Sequence, residues 1–315
     1  MRSLLLATAA LLTVAAAPPP AKVRSPGDAV KEAKASDWIQ IPAEDLLVMD
    51  LAGGKRVVIQ LAPQFAPVHI ANIRAMARSG YWGKATIYRV VDNWVTQWGL
   101  NEDPEKGDTI TPLPQGAIAR PPEEYERSAA GLKWVPMGSP DPYSMKAAYA
   151  DGWPVALQPG GKANATYCYG AVGVARDAAP DTGNGSELFA VIGATARRLD
   201  RNYALVGRVI AGMENLSALP RGTAEMGVYA KDQVPTPITS SEGWKPYERG
   251  YHVVYREHEI NHCPGCGRTH WIIGRISAEC AFCTTALPLA EASMRSHNGP
   301  VIIEHKNRDQ HAWAA

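Results

Sequence analysis

Apolar residues fall along this chain in short β-leaning runs separated by turn signals, with few stretches of helical period. Leu46-Leu47-Val48-Met49-Asp50-Leu51 and Arg56-Val57-Val58-Ile59-Gln60-Leu61 are two such runs, and Gly53-Gly54 between them signals a hairpin. A helix is predicted next: Pro67 suits a first turn, Gly80 suits a C-terminal end, and Ile70, Ile73, Met76 and Ala77 share one face. Thr86 to Val91 and Trp94 to Gln97 are further strand candidates. Strand signals return at Ala171 to Ala175, Leu188 to Ile192 and Tyr203 to Val209, and a short helix over Met213 to Leu219 is stopped by Pro220.

Between Asn101 and Cys168 the chain is rich in Pro, Gly and polar residues and carries little period. We read it as an insertion of extended loops with short elements packed over the sheet. Many short strands with two helices predict a mainly β fold, a closed antiparallel barrel capped by helices. Beyond about Ile238 the composition shifts, which places a boundary near Gly250. The expected organisation is a leader at 1–17, a linker at 18–43, a main domain at 44–245, a small module at 256–290 and a tail at 291–315.

The leader has the features of an export signal. Arg2 supplies a positive start, Leu4 to Ala17 is an almost unbroken apolar run, Ala15-Ala16-Ala17 offers small residues for cleavage, and Pro18-Pro19-Pro20 breaks any helix. The mature chain is then expected in the periplasm or secreted. No later segment is long and apolar enough to be a transmembrane helix. The formal net charge of +1 gives no electrostatic reason to expect nucleic acid as a partner.

Several segments, in order, resemble the cyclophilin family. Ala66-Pro67-Val68-His69-Ile70-Ala71-Asn72 is similar to its helix-opening motif. Ile87 to Gly99 resembles its Phe-His-Arg segment and the Phe-Met-x-Gln-Gly-Gly that follows. Gly170 to Arg176 and Asn184 to Phe189 resemble Gly-x-Leu-x-Met-Ala and Ser-Gln-Phe-Phe, and Leu199-Asp200 and Val206 to Met213 complete the pattern over roughly residues 44 to 240. The resemblance implies a cyclophilin-like barrel and a peptidyl-prolyl cis-trans isomerase acting on proline-containing polypeptides without a cofactor. It implies that Arg89 is the catalytic arginine, that Gln97 binds substrate backbone, and that Phe189 with Trp94, Val95 and Leu199 receives the proline ring. Tyr203 falls at the pocket rim, and Ala175 and Arg176 on an edge that pairs with the peptide. Tyr88 stands where His is common, Glu187 where Gln is common at a substrate-binding position, and Leu188 and Arg198 where Phe and Trp are expected. Arg198 implies weakened binding of cyclosporin-like ligands. Taken singly, Arg89 reads as a surface charge and Phe189 and Leu199 as core; in the family's order they read as a site.

These residue types suit rotation about an X–Pro amide. Resonance sets a barrier of about 18–20 kcal/mol, and the unaided reaction takes tens to hundreds of seconds. In the twisted state the proline nitrogen gains a lone pair. A guanidinium can donate to it, and an apolar wall that excludes water strengthens that donation. Tyr88 and Glu187 also motivate an alternative, a catalytically weak scaffold that binds proline-containing segments.

Cys263-Pro264-Gly265-Cys266 and Cys280-Ala281-Phe282-Cys283 are two Cys-x-x-Cys knuckles. Four thiolates so spaced can hold a structural zinc, as in a zinc ribbon. Outside the cytoplasm disulfides are the competing outcome, and a metal-dependent interaction module is a further reading. Cys168 is expected to be a small buried residue.

Overall fold

The computed structural model describes residues 28, 31–34 and 38–239 except 139 and 195, and beyond them the short strand segments 245–246, 251–254, 271–273, 277–280, 286–288, 301–304 and 313–314. The strands are β1 (Trp38–Gln40), β2 (Leu46–Leu51), β3 (Lys55–Leu61), β4 (Thr86–Val90), β5 (Val95–Gly99), β6 (Arg127–Ser128), β7 (Trp134–Pro136), β8 (Lys146–Ala150), β9 (Trp153–Gln158), β10 (Lys162–Ala165), β11 (Ala171–Val174), β12 (Leu188–Val191), β13 (Leu205–Ala211), β14 (Thr236–Pro237) and β15 (Lys245–Pro246). The helices are α1 (Pro67–Ser79) and α2 (Met213–Ser217).

A nine-stranded antiparallel sheet runs β14-β4-β5-β12-β11-β13-β3-β2-β15. It curls until β2 meets β14: Leu51 pairs with Ile238, and the Thr239 amide donates to the Asp50 carbonyl at 2.8 Å. The barrel is therefore nearly closed from β14 round to β2, in line with the strand pattern. Met49, Val57, Ile59, Ile87, Val90, Trp98, Val172 and Val206 fill its interior. α1 joins that interior with Ile70, Ile73, Met76 and Ala77. Pro67 opens the helix, and Gly80 ends it in the left-handed region, where its φ of 70° favours a residue without a Cβ.

Successive side chains of β12 go to opposite faces. Leu188 and Ala190 join the barrel interior, while Phe189 and Val191 enter a second core outside it. The insertion supplies the other half of that core. As expected from sequence it is mostly irregular chain with short elements, and five of these, β6, β10, β9, β8 and β7, make a five-stranded antiparallel sheet. Ala148, Trp153, Val155, Ala165 and Tyr167 from this segment pack on Val95, Phe189, Leu199 and Leu205 of the barrel's outer face. Polar clamps hold the two together. Arg208 on β13 lies 4.2 Å over the Trp153 ring and donates to the Gly152 carbonyl, and Arg127 donates to the Gln64 carbonyl at 2.7 Å.

Two expectations change. The expected linker to residue 43 already contains β1 and the buried Ile41. Cys168, expected to be buried, is exposed at the end of the buried run Ala163 to Tyr167. Of the knuckle cysteines, Cys280 ends the strand segment Ser277–Cys280, while Cys263, Cys266 and Cys283 lie outside the described residues, as does the whole leader. Among the described residues no helix is long and apolar enough to cross a membrane.

Candidate active site

β4, β5 and β12 are neighbours, and their register aligns three side chains in one row. Arg89 pairs with Gln97, and Gln97 pairs with Phe189. Partners directly opposite across antiparallel strands share a face, so the three residues expected to carry the chemistry lie side by side. A bulge in β4 adds a fourth. Between the Ile87–Trp98 and Arg89–Gln97 pairs, Tyr88 is an extra residue without a partner on β5. Ile87 and Val90 both enter the barrel interior, and the bulge lets Tyr88 and Arg89 both reach Gln97 on the outer face.

The polar side chains form one directed chain of donors. Arg89 Nη1 donates to Gln97 Oε1 at 2.8 Å, Gln97 Nε2 donates to the Tyr88 hydroxyl at 2.5 Å, and that hydroxyl donates to Glu187 Oε2 at 2.8 Å. Arg89 Nε is held separately by the Met226 carbonyl at 2.8 Å. Among the described residues nothing engages Nη2, which leaves that end of the half-buried guanidinium free to donate. Burial lowers the Arg89 pKa from its ordinary value, Tyr88 and Tyr203 offset part of this, and the group stays charged at any working pH.

Glu187 sits in a pocket of its own. Its Oε1 accepts from the Asn101 amide at 3.0 Å, and a Cβ on Gly99 would overlap its carboxyl group. Burial pushes its pKa up to about 7, against the lowering effect of the Asn101, Tyr88 and Leu100 bonds. Burial, and then the nearby Glu187, push the Tyr88 phenol well above its usual range.

The residues expected to receive the proline ring are also brought together. Val95, Phe189 and Leu199 belong to one buried cluster, and the half-buried Trp94, Ala175 and Tyr203 pack against it. Phe189 is held on two sides: Tyr167 stacks on it at 5.8 Å, and Tyr203 meets it edge-on at 5.7 Å. Phe189 is only 5% exposed and Leu199 6%, so the floor is dry and the half-buried residues form the accessible rim. Arg176 lies 4.8 Å over the Tyr203 ring and bonds to Asn202, which fixes the edge beside Ala175. Arg198 lies 5.0 Å over Trp94, so an exposed cation covers the indole.

Sequence reasoning missed the supports beneath this site. Arg197 donates both terminal nitrogens to Asp141 of the insertion, at 3.0 and 2.8 Å, and Nε to Asp200. Asp200 in turn accepts from the Tyr167 amide at 2.8 Å. This network braces the turn Ala196–Leu199 that carries Leu199. Glu187, expected among substrate-binding residues, points its carboxylate at Tyr88 and the backbone of residue 101. Among the described residues no group of His, Cys, Asp and Glu is assembled to hold a metal ion.

A sequence model of the family described as cyclophilin type peptidyl-prolyl cis-trans isomerase/CLD matches residues 46–241, which spans the barrel and the insertion. The chain belongs to the cyclophilin-type peptidyl-prolyl isomerases. A probable peptidyl-prolyl cis-trans isomerase of Brucella suis biovar 1 is 24% identical over 200 residues, covering 63% of this chain and 81% of the relative. Its counterpart in Brucella abortus (strain 2308) is 23% identical over the same shares. The crystal structure of cyclophilin AquaCyp293 from Hirschia baltica has a TM-score of 0.55 at 19% identity, covering 69% of this chain and 82% of that one. That likeness is one of fold. Within this cyclophilin the activity is isomerisation of X–Pro bonds, chemistry that needs no bond cleavage and no cofactor.

Proposed function

We propose that Arg89, Gln97 and Phe189 carry the isomerisation in this cyclophilin, acting on proline-containing segments of exported proteins in the periplasm or outside the cell. The observation that supports the assignment is the single cross-strand row that sets Gln97 between the guanidinium and the aromatic ring. A prolyl ring seated beside Trp94, Val95, Phe189, Leu199 and Tyr203 puts its imide nitrogen within reach of Arg89. As the amide twists, that nitrogen becomes pyramidal and accepts from Nη2, a bond the planar forms cannot make. Gln97 retains one amide hydrogen for the substrate backbone, and Ala175 with Arg176 supplies an edge for the extended peptide. The leader, with Arg2, its apolar run and its small-residue site, supports export.

A protease-coupled assay on a short X–Pro peptide tests the assignment. Arg89→Ala is expected to lower kcat/KM by about 10²–10³-fold, the cost of one preorganised donor to developing charge, with peptide binding retained. Full activity in that variant would overturn the assignment. No turnover by the unmodified chain would favour a scaffold that holds proline segments without rotating them.

A further inference from the structure

We infer that Tyr88 and Glu187 are positioning residues for the isomerase, an anionic arm that fixes the Gln97 amide and, through it, the Arg89 guanidinium. The inference rests on the assignment of Arg89 and Gln97 above.

Three independent features point to a built device. The first is polarity: every donor between Arg89 and Glu187 points the same way, from cation to carboxylate. A carboxylate can only accept, so it sets the Tyr88 hydroxyl as donor toward it. That hydroxyl then presents its lone pair to Gln97 Nε2, and the amide must turn Oε1 toward Arg89. Each bond polarises the next, so the anion at one end is felt at the other. The second is the bulge, which brings Tyr88 onto the outer face beside Arg89. The third is the seat of the carboxylate. Gly99 leaves the space it fills, and Asn101, at a φ of 56°, turns its amide onto Oε1.

Protonation of Glu187 breaks the direction of the chain. A neutral acid can donate to Tyr88, whose hydroxyl is then released from its fixed role as donor, and Arg89, which can only donate, is left as the sole group holding the Gln97 amide with Oε1 toward it. The titratable groups facing Glu187 are Tyr88 from β4, Tyr81 from the turn after α1, and Glu102 beyond β5, while Arg89 acts on Tyr88. Of these, the carboxyl of Glu187 itself is placed by burial to titrate near neutrality, about 7. Activity should therefore rise with pH through that region.

The test is the pH profile of kcat and KM between pH 5.5 and 8.5 in the unmodified chain, Glu187→Gln, Tyr88→Phe and Arg89→Ala. The unmodified chain should gain kcat with rising pH while KM stays level. Glu187→Gln should flatten that rise, and Tyr88→Phe should lower kcat about tenfold at pH 8 with KM retained, the scale of one lost bond to a charged group. A rise that persists unchanged in Glu187→Gln, or full kcat in Tyr88→Phe, overturns the inference. Full activity in Arg89→Ala overturns the assignment beneath it instead. If the variants do not fold, the side-chain amide resonances of Gln97 in the unmodified chain serve: they should shift with pH at the midpoint of the activity, and amide signals indifferent to pH refute the arm.

Discussion

Glu124 is the most consequential contact between the insertion and the barrel's helix. Its carboxylate accepts from the amides of Val68 and His69, both at 2.9 Å, and from His69 Nδ1 at 2.6 Å. The His69 side chain is fully buried and that of Glu124 only 9% exposed. The carboxylate therefore caps the first turn of α1 and satisfies a histidine inside the protein. Glu124→Ala would leave one buried ring nitrogen and two amides without this acceptor. A buried donor left unpaired costs about 1–3 kcal/mol, and water can reach the amides at a helix end more readily than the ring, so the total should be about 3 kcal/mol. For a domain of this size that is a fall in Tm of about 6–12 °C at neutral pH. Glu124→Gln keeps one accepting oxygen and should lose about half as much. Burial raises the Glu124 pKa, but the bonds from His69 and Val68 outweigh it and hold the carboxyl below its ordinary value. A depressed carboxyl contributes stability that is complete above the unfolded value, about 4.3, and lost as pH falls through the folded one. The gap in Tm between the unmodified chain and Glu124→Gln should therefore narrow on acidification. Calorimetry at several pH values measures both effects. A Glu124→Ala variant melting within 2 °C of the unmodified chain would refute the reasoning.

A Cβ at Gly173 would overlap the Tyr167 hydroxyl and the Phe189 ring, so Gly173→Ala should cost about 1–3 kcal/mol by overpacking and lower kcat/KM by displacing Phe189. Thermal melts paired with the peptide assay check it, and unaltered values for both would count against a rigid floor. The Tyr167 hydroxyl is buried with no hydrogen-bond partner among the described residues, so Tyr167→Phe should hold stability or gain up to about 1 kcal/mol. A loss larger than that in denaturant titration would show that the hydroxyl has a partner.

The barrel was legible because its strands are buried on both faces or alternate strongly. Leu46 to Leu51 and Leu188 to Ile192 read as strands, and β2 and β12 stand there. Pro67 and Gly80 bracketed a helix whose limits the structure repeats. The sheet within the insertion was not legible, because two of its strands are built from residues with little β preference. Lys146–Ala150 is Lys-Ala-Ala-Tyr-Ala and Lys162–Ala165 is Lys-Ala-Asn-Ala, and they become strands through neighbours and a shared core far away in sequence. The family pattern located Arg89, Gln97 and Phe189. It did not show that Tyr88 and Glu187, two departures from that pattern, are bonded to each other across 99 residues. Strict alternation would have put Tyr88 and Arg89 on opposite faces.

The bulge in β4 also separates what the fold requires from what the chemistry requires. Ile87 and Val90, three positions apart, both serve the interior, and the pairs Ile87–Trp98 and Arg89–Gln97 would adjoin in an uninterrupted ladder if the chain were one residue shorter. Such a deletion would remove Tyr88 and leave the interior residues facing as before. A lineage that lost this residue could keep a sound barrel while its catalyst decayed, so selection on folding alone would not preserve the length of this strand.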